Sequence, residues 1–330
     1  MSFRTSRTVV SIVIPTADRL DLLRGTILSC LNQNYSPDLY ELIIVDNGVS
    51  QLAQPLVEEL SAFTGRQILY VREPRPGLHY GRHTGADHAR GRIVLYGDDD
   101  IIASRDWVQR IVDCYKDVSV GAAGGKVIAK WQGEVPEWVS ALGDPKNCGL
   151  LSLLDLGEGL LSLDRRHNIN GCNFSVRLDV LRMVGGSNPD AFPQTLERYS
   201  GDGESGLLDK IYKAGYRIMY SSAAQVEHVI PPSRLPFSYA INRLRTQGVR
   251  RAYTRSRACG GDIFCLGWDW LVCTALGMGA KLSAKLTKCA QSRNYFTMRA
   301  EYLRSRGRHS LAIATDRNLR EYSLRETYWD

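Results

Sequence analysis

No stretch of this sequence runs for the roughly 20 uncharged apolar residues that a membrane-spanning helix needs. The nearest candidate, residues 263–280, is broken by Asp269 and by glycines. A charge at the middle of a span is costly. The reading is therefore a buried or interfacial helix, with Trp268 and Trp270 at a membrane surface and Lys281, Lys285 and Lys288 beside it. The eight cysteines contain no CxxC pair and no metal-ligand spacing. That argues against a zinc site or a disulfide framework and for small buried side chains in a reducing compartment. Two arginines precede Val9–Ile14, but that apolar run is too short for a signal core and meets Pro15, so no secretory signal is expected. There is no internal repeat and no low-complexity tract.

What is present is a globular composition: 330 residues, 44% hydrophobic and 23% charged. The net charge of +7 is uneven. From Arg243 to Asp330 there are 17 Lys and Arg against 7 Asp and Glu, so a near-neutral body carries a basic C-terminal segment. An anionic partner follows from that asymmetry. The basic segment has no zinc, RNP or GxxG signature, and no nucleic-acid partner is expected.

Val9–Ile14 reads as a first strand, and Asp18 as the cap of a helix over 19–33. Strands at 41–45 and 67–71 follow, with helices at 51–63 and 79–89. A fourth strand at 93–96 is followed by a helix near 107–115 and a strand near 121–128. This alternation predicts βαβ units and a mostly parallel, doubly wound sheet with helices on both faces. Residues 131–159 read as long loops. Regularity returns as a strand at 173–177, a helix at 204–214, a strand at 216–220 and a basic helix at 237–253.

The chemistry concentrates at strand ends. Ile93–Tyr96 runs into Gly97 and three consecutive acids, Asp98, Asp99 and Asp100. Adjacent like charges repel, and hard carboxylate oxygens suit Mg²⁺ or Mn²⁺. Asp46, before Asn47-Gly48, and Pro15-Thr16 also close strands. In an open α/β sheet the crevice beyond the carboxyl ends is where ligands bind. Arg82, in the glycine-bearing stretch Gly77–Gly85, can pair with a phosphate or with one of these acids.

Taken in order, these segments resemble the family-2 glycosyltransferases. The matching residues are Ser11–Thr16, Ile43–Gly48, Pro76-Gly77 through Arg82 and Gly85, Ala89–Gly91, and Leu95–Asp100 with Trp107 downstream. The likeness continues through Gly171–Arg177, Gly201–Glu204 before Ala214-Gly215-Tyr216, Val226–His228 and Pro231–Arg234. The resemblance implies a GT-A fold over residues 1–235, with a nucleotide-sugar-binding half at 8–128 and an acceptor-binding half at 129–235. Residues 236–330 form a helical basic extension. It implies an inverting, metal-dependent transfer from a nucleotide-sugar, most often a UDP-sugar, to a saccharide or lipid-linked acceptor. Pro15, Thr16, Asp46, Gly77, Arg82, Asp98 and Asp99 would meet the donor. Asp98, Asp100 and His228 would hold Mn²⁺ or Mg²⁺. Trp138, Asn173 and Arg234 would face the acceptor. Glu204 falls in the position of the family's catalytic base, with Asp202 as the alternative, and His83 replaces the family's usual Asn. The expected place is cytoplasmic, at the inner face of an anionic membrane. A sugar nucleotidyltransferase and a non-catalytic nucleotide binder are the competing readings. The first lacks its glycine-rich loop after strand one, and the second has no reason to retain the acids.

Overall fold

The computed structural model describes residues 8–165 and 167–329; the Met1–Arg7 part of the N-terminal reading lies outside them. Chain order is β1 (Val10–Thr16), α1 (Leu20–Leu31), β2 (Tyr40–Asp46), α2 (Ala53–Thr64), β3 (Ile68–Arg72), α3 (Leu78–His88), β4 (Ile93–Gly97) and β5 (Ile101–Ala103). There follow α4 (Trp107–Cys114), β6 (Val120–Trp131), α5 (Glu137–Ser140), β7 (Leu160–Leu163), β8 (Asn173–Arg177), α6 (Leu178–Met183), α7 (Gly203–Lys213) and β9 (Arg217–Ile230). Four helices close the chain: α8 (Phe237–Ala258), α9 (Ile263–Leu286), α10 (Ala290–Thr315) and α11 (Arg317–Leu324).

One sheet runs in the order β3-β2-β1-β4-β8-β6-β9-β5, with β7 on β9. The pairs β3-β2, β2-β1, β1-β4 and β6-β9 are parallel, and β8 lies antiparallel to both neighbours. Strand alternation builds two cores. Ile12 and Ile14 of β1 face Leu23 and Ile27 of α1, Leu60 of α2 and Trp107 of α4. Val13, between them, faces Ala86 of α3 and Leu207 and Ile211 of α7. That explains why β1 and β2 read as continuous apolar runs: both of their faces are covered.

Several expectations change. Asp18 does not cap α1; its carboxylate accepts from the backbone N–H groups of Val49 and Ser50, both at 3.1 Å. The strand expected at 216–220 continues to Ile230, because its second half pairs with β5 and with the far end of β6. Within 131–159 lie α5 and two short 3₁₀ turns. Trp138 and Asn173 do not reach an acceptor site. Trp138 is buried in the core and its indole donates to the Leu235 carbonyl at 2.7 Å. Asn173 is fully buried, accepts from the Trp107 indole at 2.8 Å, and donates to the carbonyls of Lys126 and Ala224 at 3.1 and 2.8 Å. It ties β8 to α4, β6 and β9.

α9 packs on α10 by one face only. Asp269 turns inward to pair with Arg306 and accepts from Ser310 at 2.6 Å. The charge that argued against a membrane span is thus hidden. Phe264, Trp268, Leu271, Leu276, Met278 and Leu282 are exposed, whereas Trp270 is half-buried against α10 rather than outward. Among the described residues α9 is the one helix long and apolar enough to cross a membrane. All eight cysteines are free; five are buried and Cys289 is exposed.

Replacing Asn173 with alanine strands an indole donor and two carbonyls. A loss of about 2–3 kcal/mol is expected from unpaired buried polar groups, read as a lower urea midpoint. An unchanged midpoint would mean the side chain does not staple these elements.

Candidate active site

The carboxyl ends of β1, β2 and β4 lie side by side because Thr16 is in register with Asp46 and Val13 with Tyr96. The three acids form the turn from β4 to β5. Ile101 of β5 pairs with His228 of β9, and the Val229 amide donates to the Asp100 carbonyl at 2.8 Å. This pairing brings the turn and His228 together across 128 residues of chain. A cavity of about 310 Å³ opens here, with Pro15, Thr16, Asp98, Asp100, His228 and Glu204 among its lining residues.

The acids point in different directions. The Asp98 side chain is 27% exposed to the cavity, while Asp99 is fully buried and turned away from it. Asp99 accepts from Thr16 at 2.7 Å and pairs with Arg19; burial pushes its carboxyl up to about 6 against the pull of Arg19. Asp99 therefore braces the turn rather than touching a ligand. Burial and the neighbouring Asp100 also raise Asp98. Asp100 goes the other way: burial is outweighed by the paired guanidiniums of Arg19 and Arg234, which hold it ionised.

Arg234 donates to Asp100 at 2.6 Å and approaches His228 Nε2 at 2.8 Å. It belongs to the acid cluster, not to a separate acceptor surface. His228 Nδ1 lies 2.7 Å from the Leu151 carbonyl, to which it must donate. In the neutral ring the lone pair then sits on Nε2, which is 3.2 Å from Asp100 Oδ1. A backbone carbonyl behind one ring nitrogen is the usual arrangement for a histidine that ligates through the other.

Asp46 stands at the same sheet edge but is 1% exposed and does not line the cavity. Its carboxylate accepts from Tyr70 and from the Gly48 amide, each at 3.0 Å, and its neighbour Asn47 takes the wall position. Gly77 is outside the cavity too. It starts α3 at φ 130°, where a Cβ would meet the His79 ring at 2.8 Å, and Leu78 reaches the wall instead. His83 is buried, accepts from the Ser187 amide at 2.9 Å and stacks on Trp329, so its departure from Asn touches packing and not the cavity.

Arg82 is 2% exposed and reaches two acids, Glu204 at 3.3 Å and Asp98 at 3.8 Å. Glu204 also accepts from the Gly171 amide at 3.1 Å. A Cβ at Gly171 would lie 2.2 Å from Arg82 and 2.8 Å from Glu204, so a side chain there would push the two groups aside. Burial would raise Glu204, but Arg82, Arg250 and a hydrogen bond from Asp190 bring its carboxyl down to about 2. Asp190, buried and paired with Arg250, is pushed up to about 6 by burial. Asp202 faces away, accepting from Asn188 at 2.7 Å and Thr254 at 3.3 Å. Asp190, Arg19, Arg243 and Arg250 are wall residues that no motif reading picked out. The only local signal for Asp190 was an acid after Asn188-Pro189.

The donors suit a hard divalent cation. Asp98 is open to the cavity, Asp100 Oδ1 has no hydrogen-bond partner, and His228 presents Nε2. Among the described residues no three Asp, Glu, His or Cys side chains are grouped as a ready-made metal site. Arg19 and Arg234 share the other oxygen of Asp100, Oδ2. An open site with two carboxylates, completed by water and phosphate oxygens, is how Mg²⁺-like ions are commonly held.

Arg82→Gln should lower acid resistance. A carboxyl whose folded value is depressed adds stability above its ordinary value, lost as pH falls through the folded one. For Glu204 that window runs from about 4.5 down to about 2. Without Arg82 the acid-unfolding midpoint should move to higher pH, followed by circular dichroism; no movement would mean Arg82 does not hold Glu204 ionised.

Residues 11–161 match the profile described as Glycosyl transferase family 2. A glucosyl-dolichyl phosphate glucuronosyltransferase of Haloferax volcanii is 27% identical over 243 residues, 72% of this chain and 75% of the relative. Succinoglycan biosynthesis protein ExoM of Rhizobium meliloti is 23% identical over 262 residues, 78% of this chain and 79% of the relative. A mannosyltransferase structure from Pyrobaculum calidifontis, in complex with GDP-Man and Mn²⁺, superposes with a TM-score of 0.53 at 17% identity, covering 92% of this chain and 72% of its own. GalNAc-T7 with UDP, GalNAc and Mn²⁺ gives 0.51 at 17% identity, over 72% of this chain and 47% of its own.

Proposed function

The chain belongs to the family-2 glycosyltransferases and has the GT-A fold, and we propose that it transfers a sugar with inversion from a nucleoside-diphosphate donor to a saccharide or lipid-linked hydroxyl. The observation that carries this reading is one cavity with Asp98, Asp100 and His228 on one side and Glu204 on the other, joined through Arg82. The relatives and neighbours named above, acting on lipid-linked or polymeric sugars or holding Mn²⁺ with a nucleotide-sugar or nucleotide, support it.

Asp98, Asp100 and His228 would hold Mn²⁺ or Mg²⁺. The cation supplies Lewis-acid neutralisation of the donor diphosphate. Arg19 and Arg234, which stand at Asp100, would pair with the phosphate oxygens, and Thr16 with Asp99 keeps the turn in place. The acceptor oxygen attacks the anomeric carbon as the bond from that carbon to the phosphate oxygen breaks, and the nucleoside diphosphate leaves with the bonding pair. The acceptor's proton passes to Glu204. Glu204 is ionised at neutral pH, and the hydroxyl grows acidic only as its oxygen bonds to carbon, so a weak carboxylate base suffices. Glu204 borders the acid cavity and Asp202 does not, which favours Glu204 as the base.

Calorimetric titration with UDP, GDP, CDP and dTDP, each with and without Mn²⁺, tests the donor side. One nucleotide should bind only with metal, and Asp100→Ala should abolish that binding. Glu204→Gln should keep it while turnover falls by about 10²–10⁴, the usual weight of an acid–base group. Asp202→Asn collapsing turnover in its place would reassign the base.

For the membrane, the support is the apolar outer face of α9 with Lys281, Lys285 and Lys288 near its end, on a basic C-terminal segment. Sedimentation with phosphatidylglycerol vesicles at low salt should carry the protein down, and Trp268→Ser with Phe264→Ser should release it. Protein left in the supernatant would remove the membrane contact and leave the transferase reading untouched.

A further inference from the structure

Past Glu204 the donor cavity meets a larger one of about 810 Å³, and the two share Ser152, Glu204, Arg243 and Arg250. Its lining is predominantly basic. Seven lysines and arginines face four carboxylates. Three of those carboxylates are already engaged: Asp209 by Lys213 at 2.6 Å, Glu204 by Arg82, and Asp202 by Asn188 and Thr254.

The cations are less well matched. Among the described residues Arg243 and the exposed Arg251 form no ion pair. Lys210 donates to the Gly186 and Glu326 carbonyls, and Arg257 to those of Ser323 and Arg325, groups that bear no net charge. Arg243 and Arg250 each bury an Nε with no partner. On α8 the residues 243, 250, 251 and 257 fall on one helical face, at separations of 7, 8 and 14. Like charges along one face destabilise a helix, and of these four, among the described residues, Arg250 alone is held by an ion pair, to Asp190.

We propose that this second cavity seats the acceptor and that the acceptor carries a phosphate there, held by Arg243, Arg251, Arg257 and Lys210. The inference rests on Glu204 being the base, since the acceptor hydroxyl must lie against it. A carboxylate needs one arginine, whereas a phosphate with three acceptor oxygens and nearly two charges satisfies several cations. The donor's own diphosphate does not account for them: Arg251, Arg257 and Lys210 border only the second cavity. The phosphate belongs either to a lipid phosphate or to a soluble sugar phosphate.

The full chain is titrated with inorganic phosphate, glucose 1-phosphate and citronellyl phosphate, with UDP plus Mn²⁺ as a separate arm. Among the described residues exposed Arg251 has no partner to lose, so Arg251→Gln should fold as the parent does. Phosphate-monoester binding should weaken about tenfold in Arg251→Gln and further in Arg243→Gln/Arg251→Gln, with UDP binding unchanged in the single variant. Citronellyl phosphate binding tighter than glucose 1-phosphate assigns a lipid source; the reverse assigns a soluble one. The proposal is overturned if no monoester binds, if both variants bind as the parent does, or if UDP displaces the monoester. Failure of UDP binding alone, with an Arg251-dependent monoester site, would instead remove the donor reading.

Discussion

The guanidinium of Arg82 lies buried between Asp98 and Glu204, at 3.8 and 3.3 Å, and the geometry of the site depends on that pair of contacts. A buried charge is tolerable only while paired. Arg82 keeps Glu204 ionised against a burial that would neutralise it. It also fixes the separation of the two walls of the cavity, one from the β4–β5 turn and one from the start of α7. Gly171 leaves room for the guanidinium, and the Tyr96 hydroxyl donates to the Arg82 carbonyl at 3.2 Å.

Around that contact the fold supplies rigid supports. β1 and β4 are buried on both faces, so the turn carrying the acids hangs from the least mobile part of the sheet. Asn173 locks β8 beside it through three hydrogen bonds. α8 belongs to the basic C-terminal segment by sequence, yet its Arg243 and Arg250 line the cavity that holds Asp98, Asp100 and Glu204. The helical extension is therefore part of the site's wall.

Much of this was legible along the chain. The apolar runs of β1, β2 and β4 and the acids closing them are local signals, readable because buried parallel strands need continuous hydrophobic residues. The pattern around residues 171–177 and 201–204 also singled out Glu204, which lines the cavity. Roles within those segments were less legible. Asp99 and Asp46 read as ligand contacts and turned out to hold Thr16, Arg19 and Tyr70. Trp138 and Asn173 read as acceptor contacts and are core staples. A side chain's direction in a turn, or its burial under a long loop, depends on partners far away in sequence.

The sequence by itself determined the alternation of strands and helices, the acids at strand ends and the basic C-terminal charge, because each follows from neighbours within a few residues. Only the tertiary structure decided which of three adjacent acids faces the cavity, since that depends on Thr16 and Arg19 claiming Asp99. It alone brought Asp190 and the α8 arginines to Glu204, through packing across tens of residues. It also turned Asp269 inward to Arg306, leaving an apolar face on α9 that a linear reading had taken to be interrupted by charge.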